Sequence, residues 1–313
     1  MNARLGRGMR MLLPVLTAFA LTLAAVAASA EPDRPLSVRA PRAASAVGQA
    51  SVTACNPKAS SLRPSGPLQV TPGSFMEKIR ARGYLIAGVD QNTYHFGYFN
   101  PANGQVEGFD IDMIKAVARY IGVTKVEYKA ISDDQRIPDV ENGAVDIVAH
   151  TMTILCDRLK YVDFPSVYFD AGQRVLVLKS SAARSLTALA GQKVCATTGS
   201  DSLARIIAAR AIPVRVPYWT DCLVLLQQGD VAAISTDDTI LDGLKAQDPW
   251  TMLVGSRLSD EPYGLAISKQ HPEFVRFVNA VLEQLRTDGQ WAASYRAWIG
   301  SPAPAPPRAE YAD

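Results

Sequence analysis

Between about residue 75 and residue 300 the chain alternates short apolar runs with longer stretches in which apolar positions recur every three or four residues. That is the pattern of strands alternating with helices in an α/β protein. Residues 76–82 read as a helical turn that ends at Gly83, and residues 84–90 as a short strand that delivers Asp90 to its end. An extended piece at 96–99 runs to a turn at Asn103-Gly104. In the helix at 108–122, Phe109, Met113, Ile114, Val117 and Ile121 keep the helical period, with Asp110 placed to cap the start and Gly122 to end it. A strand at 126–130, a helix at 136–142 and a strand at 147–149 follow. Residues 167–178 run extended with Ala171-Gly172 in the middle, as a chain crossing from one lobe to another would. Beyond lie a strand at 193–196, a helix from Ser202, a strand at 214–216, a helix after Asp221, a polar loop at Asp237, a return strand at 262–269, and closing helices at 272–288 and 291–299.

One unit occurs twice. Residues 140–151 and 226–238 both read as helix end, Gly, short apolar strand, polar loop, with Gly143 and Gly229 suited to a left-handed cap. The first loop carries Thr151, Thr153 and the cation Arg158; the second ends in Asp237 and Asp238. Loops at the carboxyl edge of a sheet are where α/β folds bind ligands. A guanidinium there can form a paired fork with a carboxylate while hydroxyls and N–H groups take the remaining lone pairs. Two such loops of opposite charge suggest a zwitterion held between two lobes.

The ends differ from this core. Residues 1–30 carry Arg4, Arg7 and Arg10, an apolar run and Ala28-Ser-Ala30, which reads as an export signal cleaved before Glu31. No Cys stands at that site to take a lipid. Residues 31–72 are rich in Ala, Ser, Pro and Val without a period and are expected to be a flexible lead; the Pro-rich tail at 301–313 is expected to be unpacked as well. Without the three signal arginines the formal charge drops from +2 to −1, so the chain's basicity argues for no nucleic-acid partner. The four cysteines accompany no metal-ligand spacing, so disulfides are expected rather than a metal site. Three pairings are open. Cys195 and Cys222 flank one αβ segment; with those two joined, Cys55 pairs with Cys156, or stays free or links to another molecule.

Gly88-Val-Asp90, Gly108-Phe-Asp-Ile-Asp112, Gly143-Ala-Val-Asp-Ile147, Thr151-Met-Thr153, Asp157-Arg158, Val162-Asp-Phe164, Gly199-Ser-Asp-Ser202, Asp237-Asp238 and Tyr263-Gly-Leu-Ala-Ile267 occur in this order over residues 75–300. In this the chain resembles the extracytoplasmic solute-binding proteins of polar amino-acid ABC importers (family 3). Cys55-Asn-Pro, Trp219-Thr-Asp-Cys222 and the Pro-rich tail resemble most the glutamine-binding type of mycobacteria and other actinobacteria. The resemblance implies an α/β, two-lobed periplasmic-binding-protein fold of type II, each lobe a mixed sheet flanked by helices, joined by a two-strand hinge. Lobe 1 would comprise 73–170 and 264–300, and lobe 2 would comprise 171–263. It also implies that Arg158 holds a ligand α-carboxylate with Thr153 and the N–H groups near Ser200 and Ser202, that Asp237 takes the α-ammonium beside Thr151, and that Asp90, Phe96 and Thr197 line the side-chain end. Thr197 and Thr198 stand where relatives carry Lys or Arg, and His150 precedes the first loop.

The expected function is therefore export to the periplasm or cell envelope and capture, by a monomer without cofactor, of a free polar L-amino acid of the glutamine, glutamate, asparagine and aspartate class. The partner would be the membrane permease of an ABC importer, or in a sensory variant a membrane receptor. A cleft enzyme such as a dehydratase is the competitor from another class. Against it stand three scattered histidines (His95, His150, His271), no Gly-x-Ser-x-Gly elbow and no metal spacing.

Overall fold

The computed structural model describes residues 55–313, which belong to one compact unit; the expected signal at 1–30 and the lead as far as residue 54 lie outside the described residues. Helix α1 (Phe75–Arg82) starts where Ser74 Oγ accepts from Glu77 N and stops at Gly83, whose φ of 88° is left-handed. Then come β1 (Tyr84–Val89), β2 (Asn92–Thr93), β3 (Gly97–Asn100), β4 (Gln105–Glu107), α2 (Phe109–Ile121), β5 (Lys125–Ala130), α3 (Arg136–Glu141), β6 (Ile147–Ala149), β7 (Val162–Asp163), β8 (Phe169–Ala171) and β9 (Gln173–Leu178). The chain continues through β10 (Lys193–Thr197), α4 (Ser202–Ala208), β11 (Ile212–Val216), α5 (Trp219–Gln228), β12 (Ala233–Asp237), α6 (Asp238–Gln247) and β13 (Thr251–Val254). It ends with β14 (Glu261–Tyr263), β15 (Ile267–Ser268), α7 (Pro272–Thr287) and α8 (Gln290–Trp298).

Two sheets organise these elements into two lobes. In the first, β1 lies between β5 and β6, parallel to both, so Val89, Ala130 and Ala149 end on one edge. The apolar faces of α2 and α7 cover it, with Ile114, Val117, Phe274, Val278 and Val281 in one core. In the second, the order is β11-β10-β12-β9-β13, with β10, β11 and β12 parallel and β9 antiparallel. Its separate core gathers Val175, Leu176, Val194, Ile206, Leu226, Ile234 and Leu241. Strands β8 and β14, paired antiparallel with Tyr263 opposite Phe169 and Glu261 opposite Ala171, carry the chain between the cores. At Gly172, between β8 and β9, a Cβ would meet Ser259 O at 2.6 Å, so the backbones pack there too closely for a side chain.

Several local expectations are corrected. Asp110 does not cap α2: the N-cap is Gly108, at φ 138°, where a Cβ would lie 2.1 Å from Phe96 O, so close backbone packing sets the helix start. Helix α5 begins at Trp219 rather than after Asp221, because Asp221 accepts from Tyr218 N and so caps the turn from inside. Asp237 closes a strand and Asp238 opens α6, a helix the polar pair had concealed. The return strand splits into β14 and β15.

The lead from Cys55 and the tail are both packed rather than loose. Asn279 Nδ2 donates to Ser61 Oγ and Leu62 O, each at 2.7 Å, and Leu68 and Val70 rest on the first core. The tail returns to the same face, where Ala312 N donates to Ser61 O at 2.8 Å and Arg276 pairs with Asp313 at 2.6 Å. Apolar residues interspersed among the prolines supply what composition alone did not reveal. Cys55 is joined to Cys156 and Cys195 to Cys222. No helix among the described residues is long and apolar enough to cross a membrane.

Candidate functional site

Because the parallel strands of each sheet end on one edge, their following loops collect there. After β6, Thr151 adopts φ 42° and its N–H donates to Asp110 Oδ2 at 2.8 Å. Asp110 Oδ1 accepts from Tyr168 Oη at 2.6 Å. Burial pushes the Asp110 carboxyl up to about 6, against the pull of those two donors. The residue expected as a helix cap thus holds the loop after β6 in its left-handed shape. Seven residues on, Arg158 opens a single 3-10 turn, 8 % exposed, and its Nη1 donates to Thr153 O at 2.7 Å. Burial, then the neighbouring Arg136, lowers the affinity of this guanidinium for its proton, and Asp201, Asp133 and Asp237 counter them.

The second lobe meets this loop. Arg158 Nη2 lies 3.4 Å from Asp201 Oδ1 and 3.5 Å from Gly199 O, at the head of α4. Asp201 also lies 3.5 Å from Arg205, which pairs with the fully buried Glu261 at 3.0 Å. Burial raises the Asp201 carboxyl, but Arg158, Glu261 and Arg136 together outweigh it and hold the group below its ordinary value. Asp237, between β12 and α6, stands well above the carboxylate range: burial dominates, Asp201 and Glu261 add repulsion, and the 2.6 Å hydrogen bond from Tyr263 Oη offsets them only in part. A buried carboxylate in that condition favours a cation beside it.

Thr151, Ser200, Ser202 and Asp237 line one void of about 10 Å³, room for about a single water. Any amino acid entering must part the lobes and replace contacts such as Arg158 to Asp201. Arg158 and Thr153 do not line this void: Arg158 touches its wall only at Asp201, and the Thr153 carbonyl accepts from Arg158. Thr197 instead bonds Asp133 with its hydroxyl. Asp90 and Phe96 do not join: Asp90 accepts from Asn92 N at 2.8 Å and from Thr93 Oγ1 at 2.5 Å, which makes it a turn residue. Phe96 packs edge-on against Phe169 and Tyr263 and lines a separate cavity of about 630 Å³ with His95, Asp242 and Tyr295. That larger cavity is the weaker candidate, since its Asp238 is already paired with Arg257 at 2.6 Å and the buried Arg158 and Asp237 lie elsewhere.

Two cleft residues escaped the reading of the sequence. Asp133 and Arg136, after β5, form a buried pair at 2.9 Å, and Arg136 reaches across to Gly199 O at 3.4 Å. Their signal was the same as that of Thr151, a polar loop leaving the carboxyl end of a parallel strand. His150 stands beside them, Nδ1 3.4 Å from Asp133 and Nε2 3.0 Å from Ile131 O, so it braces the first lobe's own loops.

The model of the bacterial extracellular solute-binding proteins, family 3, matches residues 85–301. The chain belongs to this family. It is 36% identical over 226 residues to the ABC transporter glutamine-binding protein GlnH of Bacillus subtilis (strain 168), covering 71% of this chain and 83% of that one. With the glutamate/aspartate import solute-binding protein of Salmonella typhimurium (strain LT2) it shares 26% identity over 248 residues, 74% and 82% of the two chains. Among solved structures, an ancestral arginine-binding protein bound to glutamine superposes with a TM-score of 0.67 at 36% identity, over 70% of this chain and 99% of that one. The ancestral amino acid-binding protein AncCDT-1, a precursor of cyclohexadienyl dehydratase, gives 0.67 at 33% identity, over 72% and 100%. The architecture of family 3 members, two α/β lobes on a two-strand hinge, is the one described above.

Proposed function

We propose that this member captures a free polar amino acid outside the cytoplasmic membrane and hands it to the permease of an ABC importer. The observation that carries the reading is the placement of a buried guanidinium and a buried carboxyl group on the two sides of one cleft, Arg158 from the first lobe, where it meets Asp201, and Asp237 from the second. Arg158 with Thr153 would hold the α-carboxylate, helped by the N–H groups near Ser200 and Ser202. Asp237 would hold the α-ammonium, with Thr151 beside it. The closed arrangement alone lets both ends of a zwitterion meet their partners, so ligand would favour closure. Relatives named as glutamine-binding and as glutamate/aspartate import proteins support a ligand of the glutamine, glutamate and aspartate kind, to which asparagine is added for its similar size and amide. Two disulfides fit an oxidising compartment outside the cytoplasm.

Binding without turnover is the expectation, because the relatives named above are binding proteins and Arg158, Asp201, Arg205 and Glu261 are paired among themselves. Titration calorimetry with glutamine, glutamate, asparagine, aspartate, leucine and lysine tests the reading. Saturable binding of at least one of the first four, with the ligand recovered unchanged, is expected. Failure of all four to bind would remove the reading, and consumption of the ligand would replace it with an enzyme.

A further inference from the structure

The chain has four tryptophans, and the fate of their indole N–H groups differs. Trp291 Nε1 donates to Tyr168 O and Trp298 Nε1 to Asp112 Oδ2, both at 2.8 Å, while Trp250 is 74 % exposed and open to water. Trp219 is 3 % exposed, and its Nε1 is buried with no acceptor. It is also one of the residues that line the void between the lobes, together with Thr151, whose Oγ1 is likewise buried and without a partner.

An indole N–H is a donor only, and leaving one buried and unmatched costs free energy comparable to a lost hydrogen bond. Its position is firmly fixed. Trp219 opens α5, and Cys222, three residues further on the same helical face, is tied through the disulfide to Cys195 of β10. A rigid donor at the wall of a cleft selects for an oxygen on whatever enters and disfavours a cation, which brings only further donors.

We infer that Trp219 is a specificity-determining residue, its indole N–H donating to the side-chain amide or carboxylate oxygen of the bound amino acid. This rests on the amino-acid reading above. It accounts for how a cleft with Thr197 and Thr198 in place of a cationic residue distinguishes oxygen-bearing side chains, whether amide or acid, from apolar and basic ones.

The test compares glutamine, glutamate, asparagine and aspartate with norvaline and 2-aminobutyrate, which match them in chain length but lack the terminal group. Calorimetry is run on the wild type and on Trp219→Phe, which removes the N–H and keeps most of the ring. The expected result is a loss of about tenfold for the oxygen-bearing ligands, the worth of one hydrogen bond, with the apolar analogues unchanged. An unchanged ratio in the folded variant overturns the inference and means that water satisfies the N–H. In the wild type, the indole N–H resonance of Trp219 provides a second reading independent of the variant's folding: a shift with glutamine but not with norvaline supports the inference, and equal shifts overturn it. A wild type that binds none of these ligands would refute the amino-acid reading itself, whereas retained binding with an unchanged ratio refutes Trp219 alone.

Discussion

Replacing Arg158 by alanine should abolish useful affinity for free amino acids while the protein still folds. The guanidinium is 8 % exposed and its donors are spent on Thr153 O at 2.7 Å and, more distantly, on Asp201 and Gly199 O. In the complex one face of it would turn to the ligand carboxylate. Truncating one partner of a buried, hydrogen-bonded charge pair costs about 2–5 kcal/mol, so Kd should rise between about 30-fold and several thousand-fold. The fold should survive because Asp201, the charge left behind, retains Arg205 at 3.5 Å. Arg158→Lys should recover little, since an ammonium cannot reproduce the planar fork. Calorimetry measures the affinity, and circular dichroism with a thermal melt checks folding. As an internal control, glutamine α-amide, which lacks the carboxylate, should bind the wild type weakly and lose little further affinity in the variant. A folded Arg158→Ala protein with wild-type affinity would refute the reasoning and move the carboxylate site elsewhere.

Three further outcomes are expected. Asp237 stands above its ordinary range in the cleft, and a ligand ammonium would favour its charged form; binding should therefore release a proton, and affinity should fall as pH drops through the raised value, a dependence that Asp237→Asn abolishes in calorimetry across buffers of different ionisation heat. Glu261 is raised from 4.5 to about 7, chiefly by burial, so the folded chain holds its proton more tightly than the unfolded one. Ligand-free stability should then decline as pH rises from about 4.5 towards 7, and thermal melts of Glu261→Gln should show a flatter dependence over that window. Removing the Cys195–Cys222 bridge by a double alanine substitution should cost about 3 kcal/mol or more in urea unfolding, for a closed loop with a separation of 27 residues and two fully buried side chains; an unchanged midpoint would show that the loop is already restrained when unfolded.

What the sequence made legible follows from where its physics is local. Strand ends, helix periods and the glycines that terminate helices depend on near neighbours, so β1, β6, α2 and α7 could be read almost residue by residue. Arg158 and Asp237 could be placed near the sheet edges because a polar stretch at the end of an apolar strand is itself a local pattern. Some misses involve partners far along the chain, and others a local turn or cap that two patterns fit equally well. Asp110 looks like a helix cap until Tyr168, 58 residues away, and Thr151, 41 residues away, claim its two oxygens. Asp90 looks like a ligand group until its own turn consumes it. The tail and the residues after Cys55 look loose until they are laid together, where Ser61 meets both Asn279 and Ala312.

The same distinction separates the cleft's proposed handling of an amino acid's two charged ends from its proposed selectivity. A zwitterion presents one anion and one cation whatever its side chain, and two loops at two sheet edges suffice to meet them. Selectivity depends on groups that no pattern marks as polar. Trp219 sits in a helix whose other buried residues are Cys222, Leu223 and Leu226, and by every sequence criterion it is core. Only the juxtaposition of α5 with the loops at Thr151 and Asp133 turns one edge of that core residue towards the space between the lobes. If the indole N–H is what reads the ligand's oxygen, exchanging the cleft's charged residues should change how tightly any amino acid binds, while exchanging Trp219 should change which one does.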